Sequence, residues 1–335
     1  MIDWIVSFAV KRRMMVLALT LLFAGFGVYN TQNLAVDAVP DITNVQVQIN
    51  TKAPGFTPLE AEQRITYLIE TAMAGIPKLD YTRSISRYGL SQVTVIFNEG
   101  TDIYWARQQI SERIQSISSD LPANIEPNLG PIASGLGEIF TYSVHANKGA
   151  SKDDGTTFNA EDLRTLQDWV IRPQLLKVKG VTEINSQGGF ERQYQVAPIP
   201  EKLIAYKLTI NDVISALELN NSNRGAGYIE RFDGQYLVRS PGQLKTLADI
   251  ANTVIAKLDD APVRIKDVAN VYLGKELRTG AATYNGEETV LGTAMMLIGE
   301  NSRVVAKAMA DKLIQVQKSL PAGVIVEPVY DRTNL

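Results

Sequence analysis

The residues able to do chemistry are few, and their types exclude more than they permit. Cysteine is absent, which removes thiolate zinc sites, iron–sulfur clusters, disulfide frameworks and cysteine nucleophiles. A single histidine, His145, rules out a multi-histidine metal centre and leaves one candidate for imidazole-based proton transfer. Its place at the end of a strand-like run suits an ordinary strand-edge residue. Carboxylates stand close together at Glu99/Asp102, Asp153/Asp154, Glu161/Asp162 and Glu287/Glu288, the oxygen chemistry that holds a hard cation. Each pair also has a local reading: a turn, a solvated loop, a helix N-terminus and a hairpin turn respectively. Met73, Met295, Met296 and Met309 fall at apolar positions of periodic segments, where core packing is the default. No glycine motif for dinucleotides, Walker A loop or H-E-x-x-H helix occurs. With no nucleophile–base pair to name, neither an enzyme nor a bound cofactor or resident metal is expected.

Bulk properties narrow the class further. Lys plus Arg number 33 against 36 Asp plus Glu, a net charge of −3 over 335 residues. That balance argues against a nucleic-acid partner, which would need a basic excess on one face. Hydrophobic residues at 45% are those of a folded globular chain, long enough for two or more domains.

The first element is set by charge. Lys11, Arg12 and Arg13 precede the apolar run Met14–Tyr29, and no charged residue occurs from Met14 to Val36. Three readings compete. A cleaved signal peptide would use Val36-Asp37-Ala38 as its processing site. A retained membrane helix would want about 20 apolar residues, whereas this run supplies 16 before Asn30. Polar Asn30–Asn33 in the headgroup zone and local thinning would absorb that mismatch. An ordinary buried helix is the third. The first two keep the basic triplet cytoplasmic and export the chain beyond the apolar run. Ile2–Val10, with Trp4 and Phe8, suits a short interfacial helix leading into the span.

Beyond Pro40 the periodicity is readable. Val45, Val47 and Ile49 alternate with polar residues as in a half-buried strand. Thr57-Pro58-Leu59-Glu60 opens a helix with a capping box and Pro in its first turn. Its apolar face is Ala61, Ile65, Leu68, Ile69 and Ala72, and Gly75 with Pro77 ends it. Strands over Leu79–Arg87 and Gln92–Phe97 come next, joined at Tyr88-Gly89. A second helix from Asp102 carries Ile103, Ala106, Ile110, Ile114 and Ile117, and a last strand is placed near Ile125. The order is that of the βαββαβ ferredoxin-like unit.

A second copy begins at Glu138–Val144. Its first helix is capped by Asn159, presents Leu163, Leu166 and Val170, and is kinked or reset by Pro173. A strand is placed near Val181–Ser186. The remaining half reappears only at Thr289–Ile298, Ser302–Ser319 and Val324–Val329. Leu121-Pro-Ala-Asn-Ile-Glu-Pro127 is echoed by Leu320-Pro-Ala-Gly-Val-Ile-Val-Glu-Pro328, as a duplicated unit requires. Roughly residues 187–275 are thus an insertion, with strand signals at Arg192–Val196, Tyr228–Arg231, Tyr236–Arg239 and Val263–Ile265 and a helix at Asn211–Leu219. The polar, glycine-rich stretch Asn220–Gly227 reads by itself as a hairpin tip.

Taken together, the chain resembles the resistance–nodulation–division exporters, and within them the heavy-metal efflux branch. The residues that carry the likeness are Val36-Asp-Ala-Val-Pro-Asp41 with Val45-Gln-Val47, Gly55 with Glu60-Ala-Glu62, and Gly100-Thr-Asp-Ile-Tyr-Trp-Ala-Arg107. Leu129-Gly-Pro131, Gly135–Ile139, Leu166-Gln-Asp-Trp169, Gly225–Glu230, Met296–Arg303 and Tyr330-Asp-Arg332 continue it. The wording at Gly135–Ile139 and Gly225–Glu230 is similar to cobalt–zinc–cadmium exporters. Leu277 stands where the copper–silver group would have methionine, a signal for harder divalent ions.

The resemblance implies a retained first helix anchored by Met14, Leu17, Leu21, Leu22, Phe23 and Phe26 within residues 1–36. It implies an α+β architecture: a porter subdomain over 37–135, and a second over 136–181 and 276–335 interrupted by a mixed α/β docking subdomain at 182–275. Asn221, Asn223, Arg224, Gly225 and Gly227 would belong to an arm reaching a neighbouring subunit of a homotrimer. The implied partners are a periplasmic adaptor, an outer-membrane channel, the lipid bilayer and a divalent metal ion as cargo. The implied location is the bacterial inner membrane, N-terminus cytoplasmic and residues after about 37 periplasmic. Whole members are about three times longer, with proton-relaying carboxylates in later membrane helices. A polypeptide ending at Leu335 is therefore expected to be an N-terminal piece of a proton-driven pump, unable to transport alone. A self-contained, membrane-tethered periplasmic binding or assembly module is the alternative.

Overall fold

The computed structural model of the chain describes all residues except 1, 34–42, 134–136, 223, 232–233, 241, 259, 277, 279 and 335. Val36–Asp41, Gly135, Leu136, Asn223 and Leu277, which carry part of the resemblance, lie outside the described residues. The chain divides into a larger unit (Met1–Phe158, Leu166–Gln187 and Thr289–Leu335) and a smaller one (Asn159–Thr165 and Gly188–Glu288).

The larger unit opens with α1 (Ile2–Lys11) and α2 (Arg13–Asn33). Trp4 and Phe8, one turn apart on α1, stack at 5.9 Å between ring centres. β1 (Val45–Lys52) turns Val47, Ile49 and Thr51 into the core. The capping box forms as expected: the Thr57 N–H donates to Glu60 Oε2 at 2.9 Å and the Glu60 N–H to Thr57 Oγ1 at 3.3 Å. It starts α3 (Pro58–Ala61), which runs through a π-helical turn at Glu62–Thr66 into α4 (Tyr67–Met73). Buried Thr66 bonds back to the Ala61 carbonyl, five residues away, at 3.2 Å. Its hydroxyl also meets those of Ser86 (2.8 Å) and Ser91 (2.7 Å). A polar anchor in the core thus stabilises the widened turn. It leaves Ala61, Ile65, Ile69 and Met73 fully buried, while Leu68 and Ala72, expected on that face, only flank the core.

β2 (Leu79–Arg87) and β3 (Leu90–Phe97) form the expected hairpin, with Gly89 at φ +70°. Asp102 caps α5 (Ile103–Ser116) by accepting from the Trp105 N–H at 2.7 Å, and Ala106, Ile110 and Ile114 are buried. The last strand, β4, is Pro127–Leu129 rather than near Ile125. Ile125 instead closes the preceding turn through its N–H on Pro122 O. The sheet order is β2-β3-β1-β4, and one cluster joins Val47, Ile49, Val93 and Val95 to Ile65, Ile69 and Ile110.

β5 (Glu138–Ala146) stands where the second copy is expected to start, and Asn159, whose side chain accepts from the Asp162 N–H, leads α6 (Ala160–Leu166). The reset expected at Pro173 takes the form of a π-helical turn, Gln167–Ile171, directly before α7 (Arg172–Leu175). Proline brings no N–H, and the wider turn spares its ring a clash with the carbonyl below. The buried positions are Asp162, Leu163, Gln167, Ile171 and Leu175, whereas Leu166 and Val170 are half-buried. Leu163 is buried as expected, but beyond it the face is one position out of phase, with polar Gln167 at a core position.

After β6 (Val181–Gln187) comes the smaller unit: β7 (Arg192–Pro198), α8 (Pro200–Ala205), α9 (Ile210–Asn220), β8 (Arg224–Arg231), β9 (Gly234–Ser240) and α10 (Leu247–Asn252). β10 (Val254–Leu258), β11 (Ala261–Arg264), α11 (Ile265–Val268), β12 (Ala269–Lys275) and β13 (Ala282–Tyr284) complete it. Ile265 opens α11 and does not extend a strand. β7 pairs with β12, β10 with β11 and β8 with β9, all antiparallel. Leu203, Val213, Val263 and Val268 form one small core and Ile250, Ile265 and Ala269 another.

Asn285 and Gly286, both at positive φ, turn the chain from β13 into β14 (Glu287–Met296), after which α12 (Ser302–Gln317) and β15 (Val324–Asp331) close the larger unit. β6, β14, β5 and β15 lie side by side, antiparallel. The sequence echo has a backbone basis. Asn124 (φ +63°) and Gly323 (φ +85°) occupy the same place in the two turns. Ile125 N–H bonds Pro122 O, and Val324 N–H bonds Pro321 O, each at 3.2 Å.

Candidate functional site

Two features carry the expected function, the N-terminal apolar helix and the β8–β9 hairpin. In α2, none of the stretch Arg13–Thr31, 19 residues, is buried among the described residues, so it is not a core helix of the units described above. At 1.5 Å per residue it is roughly 28 Å long, close to the ~30 Å hydrocarbon core of a bilayer. Met14, Leu17, Leu21, Leu22, Phe23 and Phe26 are all exposed along it. The helix extends past the 16-residue apolar run because its polar residues satisfy themselves. Thr20 Oγ1 donates to Val16 O (2.9 Å), Asn30 Nδ2 to Phe26 O (2.9 Å) and Thr31 Oγ1 to Gly27 O (2.8 Å). Such back-bonding removes most of the cost of a polar group in an apolar medium.

The second feature differs from expectation. Arg224, Gly225 and Gly227 are not a hairpin tip but lie within strand β8, paired with β9 from Arg224↔Ser240 to Arg231↔Gly234. The register shifts between Gly225 and Tyr228, where Gly227 sits at φ +81°. An extra residue in one strand with glycine in the left-handed region is a β-bulge. Of the polar residues before it, Asn221 secures the base of the hairpin: its Oδ1 accepts from the Leu244 N–H at 3.1 Å. A Cβ on Gly242 would fall 2.4 Å from Ser222 O, so the two legs approach closely there. Tyr228, Ile229 and Tyr236 are 60%, 58% and 64% exposed. A two-stranded ribbon carrying such side chains is marginal by itself and presents unpaired edges.

At least one carboxylate of each pair has a structural partner. Asp102 caps α5, and Asp154 Oδ1 accepts from the Thr156 N–H and hydroxyl. Arg192 bridges Glu161 (2.5 Å) and Asp162 (2.8 Å), and Arg278 meets Glu288 at 2.7 Å. Among the described residues no group of three or more His, Asp or Glu converges on one point.

Sequence reasoning missed a buried relay in the larger unit. Tyr142 OH donates to Gln167 Oε1 (3.0 Å), Gln167 Nε2 to Ser186 Oγ (3.2 Å), and Ser186 Oγ to Asp168 Oδ1 (2.6 Å). Burial, and then the Asp168 charge, push the Tyr142 hydroxyl above its ordinary range. Gly292 makes room for the ring, since a Cβ there would lie 2.2 Å from Tyr142 Cζ. No signal in the sequence marks the relay, because Gln167 falls off the apolar face that Leu163, Leu166 and Val170 suggest. Next to Asp168, Trp169 is 79% exposed.

Against this geometry the comparisons are specific. The sequence profile of the AcrB/AcrD/AcrF family matches residues 5–335. The chain is 56% identical, over its full 335 residues, to 32% of the cation efflux system protein CzcA of Alcaligenes sp. (strain CT14). It is equally similar, over the same shares, to the cobalt-zinc-cadmium resistance protein CzcA of Cupriavidus metallidurans. It thus spans about a third of the length of the curated relatives it matches. A crystal structure of a heavy metal efflux pump superposes with TM-score 0.87 at 31% identity, covering 98% of this chain and 32% of that one.

Proposed function

The chain belongs to the AcrB/AcrD/AcrF family of transporters, and from that premise we propose that it forms the first part of a proton-driven exporter of divalent heavy-metal cations in the bacterial inner membrane. α2 crosses the bilayer once, with Met14, Leu17, Leu21, Leu22, Phe23 and Phe26 facing lipid, and Lys11–Arg13 hold the N-terminus in the cytoplasm. Residues 37–135 are the first porter subdomain, a ferredoxin-like unit; the order β2-β3-β1-β4 supports that reading. Residues 136–181 and 276–335 are the second porter subdomain and 182–275 the docking subdomain between them. A smaller compact unit at Gly188–Glu288 supports the latter division.

The β8–β9 hairpin is the arm that seats in a neighbouring subunit of a trimer, with Asn221 and Arg224 at its base and Gly225 and Gly227 in the bulged strand; Asn223 is assigned to the same arm from the sequence alone. The docking unit faces a periplasmic adaptor and an outer-membrane channel. Intramembrane carboxylates are the usual seats of proton coupling, and residues 14–36 hold none. This chain therefore supplies cleft walls, anchor and docking surface, while coupling rests on other membrane helices of the whole exporter. Subunits alternate between states that open the porter cleft inward or outward, and protonation biases their populations.

The likeness, along nearly the whole chain, to a heavy metal efflux pump carries this reading. Deleting the gene in its own host tests it. Tolerance to zinc, cobalt and cadmium should fall, and unchanged tolerance to all three would contradict the assignment.

A further inference from the structure

Within the larger unit, one cleft of about 600 Å³ has a lining that the export reading does not use. Lys52 at the end of β1, Arg107 on α5, Arg172 at the start of α7 and Glu183 on β6 face it, together with Asn50 and Asn128. Three cations therefore share the wall with one carboxylate. Among the described residues none of the four charged groups forms an ion pair within 4 Å.

The donors are held ready for an acceptor. Arg107 Nη1 is fixed by the Gly130 carbonyl at 2.6 Å, which orients the guanidinium and leaves its other N–H groups unused. Burial disfavours its charge and holds its pKa below the ordinary arginine value. Arg172 Nε is buried and has no hydrogen-bond partner. Asn50 Oδ1 accepts from Gln92 Nε2 at 2.8 Å, so its amide nitrogen, beside Gly130, remains a free donor. An orphaned guanidinium N–H away from water is costly unless a partner arrives.

We propose that this cleft binds a doubly charged oxyanion of the phosphate class, with Arg172 and Arg107 as the forked donors and Lys52 and Asn50 completing the shell. Guanidinium forks match tetrahedral oxyanions in both geometry and charge. Three positive groups against Glu183 leave two positive charges, which a dianion neutralises. A divalent cation is disfavoured by the same count. The volume lies within the ~300–1,000 Å³ of small-molecule sites and exceeds what bare phosphate fills, so a phosphomonoester on a small organic carrier also fits.

The test is calorimetric titration of the full chain in detergent, at constant ionic strength, with inorganic phosphate, glycerol 3-phosphate and, as control, chloride. Saturable binding of phosphate with no chloride heat is expected, and tighter binding of glycerol 3-phosphate identifies an organic phosphate as the occupant. Arg172→Gln should weaken binding about 10-fold or more. Glu183→Gln, which removes the sole like charge, should tighten it. Absence of saturation with both phosphates, equal affinity in Arg172→Gln, or no gain in Glu183→Gln would overturn the site. The last variant retains every donor, so it keeps the test decisive if Arg172→Gln fails to fold.

Discussion

At the scale of single residues, the buried relay and the glycines that admit it make the sharpest demands. Tyr142→Phe leaves Gln167 Oε1 without its donor, and a buried group left unpaired costs about 1–3 kcal/mol; a thermal melt of the solubilised chain should show that loss. The same residue gives a pH dependence. Its hydroxyl is held protonated in the fold by burial. Its contribution is therefore complete below the ordinary tyrosine value of about 10 and is lost as pH rises beyond it, because the unfolded chain ionises first. Wild type should lose more stability than Tyr142→Phe between neutral and strongly alkaline pH. Gly292→Ala forces a methyl against the Tyr142 ring and should cost about 1–3 kcal/mol by overpacking. None of this is legible in the sequence. Gln167 looks like a surface residue until its partners on β5 and β6 arrive, and Lys52, Arg107 and Arg172 share a wall only through tertiary folding.

At the scale of elements, local chemistry was legible and tertiary adjustment was not. The capping box at Thr57–Glu60, the Asp102 cap and the Gly89 turn are decided by residues within four positions of one another, and they form as their sequences require. The π-helical turn at Glu62–Thr66 depends on contacts from elsewhere, those of Ser86 and Ser91 on Thr66, and no periodicity announces it, whereas the turn at Gln167–Ile171 stands where Pro173 marked a reset. α8 and α10 span six residues each, too few to show a helical repeat. The strand signal at Tyr228–Arg231 marked the second half of β8, but its first half was hidden because Arg224–Gly227 lacks alternation, its pairing being supplied by β9. Two predictions belong here. Hydrogen bonds from Thr57, Thr209 and Thr246 hold Glu60, Asp212 and Asp249 below the usual carboxylate range. Their caps are complete above about pH 4, where the unfolded carboxylates titrate, and are lost as pH falls through the lower folded values. Helical circular dichroism should fall in that acid window, and Thr209→Ala should cost about 1 kcal/mol at neutral pH. In α2, Leu21→Arg places a charge mid-helix, a penalty of about 2.5–3.5 kcal/mol, and alkaline carbonate should then extract more of the protein from membranes.

At the scale of the molecule, the account rests on one helix that separates a basic N-terminus from the α/β units beyond it. The matching turns at Asn124 and Gly323 were legible as an echo in the sequence, and so was a separate stretch inserted before β14. The internal design of the inserted unit, with its short helices and two small cores, was not. Apolar side chains such as Trp169, Ile204 and Ile314 are exposed, and on the proposed reading other parts of the exporter would cover such surface. The chain alone should aggregate in detergent-free buffer, measurable by light scattering. The absence of cysteine permits the most direct test, single-cysteine labelling of Ser7→Cys, Trp169→Cys and Glu201→Cys with a membrane-impermeant maleimide, on cells whose outer membrane alone has been opened. Labelling at 169 and 201 is expected, with protection at 7 until the inner membrane is lysed. Labelling at 7 in those cells, or protection at 169 and 201, would contradict it.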